Sequence, residues 1–177
     1  MKIFIIVGMP AAGKNIARVY AETKGIPYFA TGDLVRHEVR RRGLEPDAAN
    51  TALVSTEMRG KDGLGVTRLA LAEAERAAKP IVFIEGMRSW PEISLVRESA
   101  SVVVVAFIAP RLVRRSRIME RGRSDDSVEA FVERDERELA YGVAVPIALA
   151  DEYVLNTGSI DNAMDVFGCV VRRESTA

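Results

Sequence analysis

The sequence predicts an α/β fold in three layers, with helices on both faces of a five-stranded parallel sheet. Five short apolar runs indicate the strands, and most are continuously apolar, as strands covered on both faces are. Segments with helical periodicity separate these runs, and such alternation is typical of a parallel sheet. The predicted strands are 2–7, 27–30, 81–85, 102–108 and 152–156. The predicted helices are 13–24, 33–42, 47–59, 64–78, 92–99, 111–121, 126–140 and 159–172.

The composition is ordinary for a soluble globular protein, and a length of 177 residues favours a single domain over 1–177. Lys plus Arg and Asp plus Glu both number 25, so the net charge is zero and a nucleic-acid partner is not expected. No apolar run is long enough to span a bilayer, so we expect a cytoplasmic protein without membrane contact. Cys169 is the single cysteine and lies in an apolar stretch, which predicts a buried thiol. The sequence indicates no oligomeric state.

The first strand leads into the loop "GMPAAGKN", Gly8 to Asn15, which opens a helix. Glycines let backbone N–H groups converge on phosphate oxygens, and the helix N-terminus favours an anion. Lys14 adds a point charge for the outer phosphates of a nucleotide such as ATP. The predicted phosphate-binding residues are Gly8, Met9, Pro10, Ala11, Ala12, Gly13, Lys14 and Asn15. The motif has Ser or Thr after its lysine, and that hydroxyl helps to hold Mg²⁺. In this sequence neither Asn15 nor Ile16 has a hydroxyl.

The second strand is followed by "TGDLVR", in which Gly32 allows a tight turn and Thr31 or Asp33 can cap the next helix. Because ligands of such sheets bind at the carboxyl ends of the strands, this turn is expected beside the phosphate loop. Taken by itself, the stretch is also compatible with a plain helix start in which Arg36 is solvated.

The third strand ends at Glu85, and Arg88 follows it closely. A carboxylate at this position is where a second group that organises Mg²⁺ belongs, and Glu85 can reach the metal through water. A simple ion pair between Glu85 and Arg88 is the alternative.

The helix after the fourth strand carries Arg117 and Arg121, which lie four residues apart and share a face. Their charges repel unless an anion lies between them, and phosphoryl transfer supplies such an anion. Arg123 and Arg134 follow and suit the same task, whereas Arg137 is explained by an ion pair with Glu133.

These stretches, in this order, resemble the adenylate kinase family, which has a Thr-Gly-Asp-x-x-Arg turn and an Asp-Gly-Phe-Pro-Arg strand end. The resemblance implies that Thr31 lies near the acceptor base and that Arg36 and Arg88 hold the acceptor phosphate. It also implies that a set of arginines neutralises the phosphates in transit. That set is Arg117, Arg121, Arg123 and Arg134.

The resemblance implies a P-loop kinase fold that uses ATP and Mg²⁺, with a short lid over about 117–126. This sequence departs from the pattern, since Glu85 replaces the aspartate, no proline precedes Arg88, and the lid is reduced to Gly122. The region 34–79 should form the arm that closes over a small phosphate-bearing acceptor, with Arg59 among its binding residues. Asp33 and Glu85 would organise the metal, with help from Asn15.

The fifth strand is followed by "NTGS", which is similar to a turn near the donor adenine in dephospho-coenzyme A kinases. The resemblance makes Asn156 and Gly158 candidates for the donor site. A simple turn is the alternative. The overall pattern is close to uncharacterised archaeal proteins set between these two kinase families. A nucleoside monophosphate kinase is favoured, because a phosphate acceptor needs arginines and this sequence supplies many of them.

Two alternatives remain. A hydroxyl acceptor, as in dephospho-coenzyme A kinases, would need a base, for which Asp33 is the best candidate. A nucleotide-binding regulator with weak turnover would contact protein or RNA through Arg40–Arg42.

Overall fold

The computed structural model describes residues 1–122 and 126–176. Within them it has one sheet of five parallel strands, which confirms the predicted α/β class. The strands are β1 (Lys2–Val7), β2 (Tyr28–Ala30), β3 (Ile81–Glu85), β4 (Ser101–Ile108) and β5 (Glu152–Leu155). Their order across the sheet is β2-β3-β1-β4-β5, so the loop after β1 emerges at the centre.

The register brings the segments that follow the strands to one edge. Ile6 is opposite Glu85 on one side and Val105 on the other, so β1, β3 and β4 run in step. The loop that begins at Gly8 therefore lies between the ends of β3 and β4. Residues after β2 and β5 flank this arrangement, which is where ligands bind in open α/β sheets.

Nine helices within the described residues cover the two faces of the sheet and its edge. They are α1 (Asn15–Lys24), α2 (Thr31–Arg41), α3 (Ala48–Arg59), α4 (Gly65–Arg76), α5 (Trp90–Arg97), α6 (Arg111–Arg121), α7 (Val128–Ala140), α8 (Ala144–Ala148) and α9 (Ile160–Thr176). The sequence analysis missed α8, because five residues around Pro146 are too few to show a period.

Side chains from the strands alternate between two cores. Phe4 and Ile6 of β1 pack with residues of α1 and α9, whereas Ile3 and Ile5 pack with residues of α4 and α5. Both faces are buried, which explains why the strands are continuously apolar.

The predicted acceptor arm, 34–79, contains most of α2 and all of α3 and α4. These helices share a small apolar cluster of their own, made by Val35, Val39, Val54 and Val66. The cluster holds the three helices together beside the main sheet.

The last helix buries Ala163, Phe167, Val170 and Val171, as its periodicity predicts. The predicted burial of Cys169 was wrong. Cys169 is exposed, because it lies on the opposite side of α9 from Phe167. Ile160, at the first turn of α9, is also 68% exposed. None of the helices in the described part of the chain combines the length and apolarity needed to cross a bilayer.

Candidate active site

The loop after β1 forms an open cradle of backbone groups. Gly8 and Gly13 have φ values of +148° and +106°, a region that L side chains rarely adopt. A Cβ on Gly8 would lie 2.6 Å from the Phe107 carbonyl oxygen. Ala11 also has a positive φ, 59°, so the turn is held in a conformation that only the surrounding contacts sustain.

The Lys14 side chain folds back over this cradle. Its Nζ donates to the carbonyl oxygens of Gly8, at 2.8 Å, and Met9, at 3.2 Å. Burial lowers the pKa of Lys14 from its usual value, and the negative charges of Glu85 and Glu138 offset part of that effect. Lys14 is thus a poorly solvated cation for which the carboxylates of Glu85 and Glu138 compete with any incoming phosphate.

Asn156, directly after β5, braces the loop from the other side. It is 3% exposed, and its Nδ2 donates to the Ala12 carbonyl at 2.9 Å. A Cβ on Gly13 would overlap with this amide, so the glycine makes room for the brace. Asn156 therefore supports the loop from within the core, while its predicted neighbour Gly158 lies exposed in the following turn.

Two arginines of α6 attach this helix to the loop. Arg117 donates to the carbonyl of Asn156 at 2.8 Å and to that of Ala11 at 3.3 Å. Arg114 donates to the Pro10 carbonyl at 3.1 Å and forms a bidentate pair with Asp135 of α7 at 2.6 and 2.7 Å. Both side chains of that pair are buried.

Glu85 reaches the loop pocket from the end of β3. This pocket, of about 140 Å³, is also lined by Lys14, Arg88 and Glu138. The Glu85 Oε2 accepts from the Tyr28 hydroxyl at 2.7 Å. Burial first, and then the charge and hydrogen bond of Glu85, raise the pKa of Tyr28, so the phenol stays protonated and orients the carboxylate.

The donors fit Mg²⁺ only in part. Mg²⁺ keeps several waters and takes one or two carboxylates together with nucleotide phosphates, which Glu85 at the mouth of the cradle suits. Asn15 is exposed at the first position of α1. Within the described residues there is no cluster of three or more His, Cys, Asp or Glu that could hold a metal ion.

Asp33 has other partners. Its Oδ2 accepts from Arg18 and its Oδ1 accepts from Arg36, each at 2.5 Å. Burial opposes its ionisation, but the hydrogen bonds from Arg18 and Arg36 outweigh that effect and lower the pKa of Asp33. Both predicted roles of Asp33, metal organiser and base, would require these pairs to open.

A second pocket of about 580 Å³ lies between the sheet edge and the helices α2 to α4. The predicted acceptor residues Thr31, Arg36, Arg59 and Arg88 all line it. Thr31 is buried, and a Cβ on Gly86 would overlap with its hydroxyl, which explains the glycine there. Sequence reasoning thus gathered residues from three distant segments that do meet in space.

Arg88 and Glu138 join the two pockets, because both side chains line each of them. Arg88 Nε donates to Glu138 Oε2 at 2.8 Å. The guanidinium carbons of Arg88 and Arg59 each lie 5.0 Å from the centre of the Tyr141 ring. The Arg88 backbone N–H donates to the buried Glu92, which also caps α5.

The remaining predicted arginines in the described residues are Arg121, at the end of α6, and Arg134, on α7. Arg121 and Arg134 both bind the carboxylate of Asp126, whose side chain is 1% exposed. The anion expected beside Arg121 is thus a carboxylate in this state of the protein. Arg123 lies outside the described residues.

The Arg40–Arg42 cluster is largely neutralised. Arg41 and Arg42 pair with Glu38, and Arg42 also pairs with Glu57. This leaves little basic surface for the RNA-binding alternative.

Comparison with known proteins places the chain. A protein-family model described as an AAA domain matches residues 7–132, more than half of the chain. A UPF0200 protein of Methanosarcina mazei is 37% identical over 91% of this chain and 89% of its own length. A UPF0200 protein of Methanocaldococcus jannaschii is 38% identical over 93% and 86%.

The chain is an AAA-domain member of the UPF0200 family. The predicted closeness to an archaeal group is confirmed. Among solved structures, TT1252 from Thermus thermophilus has a TM-score of 0.71 at 20% identity, over 97% of this chain and 96% of its own. Shikimate kinase from Acinetobacter baumannii, in complex with shikimate, has a TM-score of 0.58 at 14% identity, over 98% and 94%. These likenesses confirm the P-loop kinase fold of this UPF0200 protein.

Sequence reasoning missed several site residues of this UPF0200 chain on α6 and α7. Phe131, Asp135 and Glu138 are spaced i, i+4, i+7, and Phe131 and Asp135 are buried. The sequence signal that could have revealed them is the occurrence of acidic residues at helical spacing on the same face as a buried Phe. The prediction for Arg137 was wrong, because its pair with Glu133 does not form within the described residues, and Arg137 lines the 580 Å³ pocket instead.

Proposed function

We propose that this protein is an ATP-dependent kinase of the nucleoside monophosphate kinase type, which transfers a phosphoryl group to a small phosphate-bearing acceptor. One observation carries the proposal. A phosphate cradle with a half-buried lysine and a pocket lined by four arginines share two side chains, Arg88 and Glu138. A donor and an acceptor bound in the two pockets would meet at Arg88.

The donor side supports nucleotide binding. Backbone groups of Gly8 to Asn15 cradle the phosphates, and Lys14 exchanges its contacts with two carbonyls for the outer phosphates. Arg117 stands beside the loop and would neutralise charge on the transferred group.

The acceptor side supports an anionic acceptor. Arg36 and Arg88 would hold the acceptor phosphate, whose oxygen attacks the γ-phosphorus as the bond to the β-phosphate oxygen breaks and ADP leaves. A phosphate acceptor is already ionised and needs no base. This agrees with an Asp33 carboxylate that two arginines occupy and whose pKa is lowered.

Mg²⁺, when bound with ATP, would neutralise charge on the phosphates. Glu85 would hold it through water, oriented by Tyr28. Asp33 and the Asn15 amide oxygen are the further predicted contacts, and of these Asn15 is the exposed one.

An alcohol kinase is the second candidate. One fold neighbour is a shikimate kinase with shikimate bound, so this fold also accommodates an acceptor that is not a nucleotide. On that mechanism Asp33 would accept the hydroxyl proton after release from Arg18 and Arg36.

The experiment is a transfer assay with ATP, Mg²⁺ and separate acceptors. The panel contains the nucleoside monophosphates and dephospho-coenzyme A, with ADP formation measured alongside the phosphorylated product. We expect transfer to at least one monophosphate and little hydrolysis without acceptor. Transfer to dephospho-coenzyme A alone would favour the alcohol kinase, and tight ATP binding with no transfer would favour the regulator.

The missing hydroxyl after Lys14 can be tested directly. We expect Asn15→Ser to raise Mg²⁺-dependent turnover on the order of tenfold, because a hydroxyl would hold the ion directly. Asn162→Ser, at an exposed position of α9, is the matched control. Equal turnover in Asn15→Ser and wild type would show that the metal does not depend on this position.

A further inference from the structure

The acceptor pocket contains more guanidinium groups than its own carboxylates neutralise. Four arginines line it, and two of them have internal partners, because Arg36 pairs with Asp33 and Arg88 pairs with Glu138. These two pairs sit next to the predicted site of the acceptor phosphate.

Besides Glu138, the pocket is lined by two carboxylates, Asp47 and Glu92, and both are engaged elsewhere. Asp47 caps α3 and accepts from the backbone and side-chain nitrogens of Asn50. Glu92 is 4% exposed and accepts from Thr67, from the N–H groups of Arg88 and Ser89 and from the Ser89 hydroxyl. Neither carboxylate neutralises an arginine of this pocket.

Arg59 and Arg137 are the two arginines of the pocket that these carboxylates do not neutralise. Within the described ranges, neither has a carboxylate within 4.0 Å. The Arg59 Nε makes one long contact of 3.5 Å to the Ser55 hydroxyl, and its guanidinium lies 5.0 Å from the centre of the Tyr141 ring. The Tyr141 N–H donates to the Arg137 carbonyl at 3.1 Å, so Arg137 is one helical turn before Tyr141 on the same face.

The position of this pair differs from that of Arg88. Arg88 lines both the loop pocket and the acceptor pocket, which marks the end where transfer would occur. Arg59 and Arg137 line the acceptor pocket and are absent from the lining of the loop pocket as described. Arg59 packs on the Tyr141 ring, as Arg88 also does, but only Arg88 extends to the pocket that contains Lys14.

We propose that Arg59 and Arg137 form a second anion subsite, so that the acceptor carries a second anionic group, a phosphate or a carboxylate, besides the phosphate that Arg36 and Arg88 hold. The inference rests on the proposed function, since it concerns the acceptor of that same reaction. Two guanidiniums that converge on one pocket without a counter-charge repel each other, and an anionic ligand removes that repulsion.

The test uses two matched pairs of probes, each differing by one anionic group. Adenosine 3′,5′-bisphosphate differs from adenosine 5′-monophosphate by a ribose phosphate, and orotidine 5′-monophosphate differs from uridine 5′-monophosphate by a carboxylate on the base. Affinity is measured by calorimetry without donor nucleotide, at fixed salt concentration. We expect the more anionic member of at least one pair to bind about tenfold or more tightly. The pair that shows the gain identifies the second group as phosphate or carboxylate.

The variants Arg59→Gln and Arg137→Gln attribute the gain to this subsite. We expect the affinity ratio within that pair to fall toward one in both variants. The control is Arg40→Gln, which removes an exposed arginine of α2 outside the pocket and should leave the ratio unchanged. Circular dichroism establishes that each variant is folded.

Failure of this inference is distinguishable from failure of the proposed function. Equal affinities within both pairs, or a gain that survives in both variants, would overturn the second subsite even if transfer to a monophosphate is observed. A gain that both variants abolish would support the subsite even if no acceptor is phosphorylated, in which case only the proposed reaction is lost.

Discussion

The donor and acceptor ends of the site are held in different ways. At the donor end, charged side chains bind backbone carbonyls, as Lys14 does with Gly8 and Arg117 with Ala11. At the acceptor end, functional side chains bind one another, as Arg88 does with Glu138.

This difference teaches how each end would respond to a ligand. The backbone cradle at the donor end is preorganised, and Lys14 has to give up only contacts with neutral carbonyls when phosphate binds. Groups tied to each other must exchange a carboxylate for the ligand. The acceptor and lid ends are therefore expected to rearrange when substrates bind.

The largest effect is expected from Gly13→Ala, which changes the backbone cradle at the donor end. The new Cβ would overlap with the Asn156 amide at a φ of +106°, so the cradle cannot keep its shape. ATP affinity should fall on the order of 100-fold or more, measured by fluorescent-nucleotide titration. Gly25→Ala is the control, because it has a φ of +63° but open space around it. Unchanged ATP affinity in Gly13→Ala would mean that phosphate does not bind in this cradle.

Arg114→Met comes next and tests how α6 and α7 support the donor loop. The substitution would leave Asp135 buried, with only Arg111 at 3.6 Å, and should lower the free energy of unfolding by about 3–5 kcal/mol. Urea denaturation measures the loss. The double variant Arg114→Met, Asp135→Leu should recover part of it, and a double variant as unstable as the single one would contradict this explanation.

Glu138→Gln tests the acceptor end, where Arg88 and Glu138 pair with each other. Its effect is expected to be smaller and to strengthen ligand binding, not weaken it. Removing the carboxylate charge frees Arg88 from its competitor, so the KM for a phosphate acceptor should fall by about threefold to tenfold. Steady-state kinetics measure it, with Glu136→Gln, an exposed residue of the same helix, as the control. A rise in KM would show that Glu138 positions Arg88 instead of competing for it.

The smallest effect concerns the pH dependence of stability. Burial lowers the pKa of Lys14, so between this lowered value and the ordinary value of 10.5 the unfolded chain holds a proton that the folded chain has released. Stability contributed by this group therefore rises with pH across that window. Relative to Lys14→Met, wild type should gain stability as the pH increases from neutral toward 10.5, measured by urea denaturation. A constant difference would mean that Lys14 is not perturbed by burial.

The same contrast explains what sequence reasoning achieved. The strands and the glycine-lysine loop between β1 and α1 were predicted well, because continuous apolar runs and such a loop encode local backbone geometry. Thr31, Arg36 and Arg88 were gathered from motifs whose order along the chain matches their meeting at one sheet edge.

The rest depended on contacts between distant side chains. Nothing local reveals that Arg114 would bind Asp135, or that both oxygens of Asp33 would accept from arginines. Arg137 has an acidic neighbour at helical spacing, yet it lines the pocket instead, because tertiary placement decides between such partners. Which carboxylate each arginine meets is a property of the packed fold.

The pair between Arg88 and Glu138 has a consequence for how the site would distinguish ligands of different negative charge. On the proposed function, an acceptor group would have to displace the Glu138 carboxylate from Arg88, so a second carboxylate would offer no advantage over the one already there. A phosphate monoester carries a charge of about −1.5 to −2 at neutral pH and does offer one. The Arg88–Glu138 pair would thus favour dianionic acceptors over metabolites that carry only a carboxylate, before any contact with the rest of the ligand is counted.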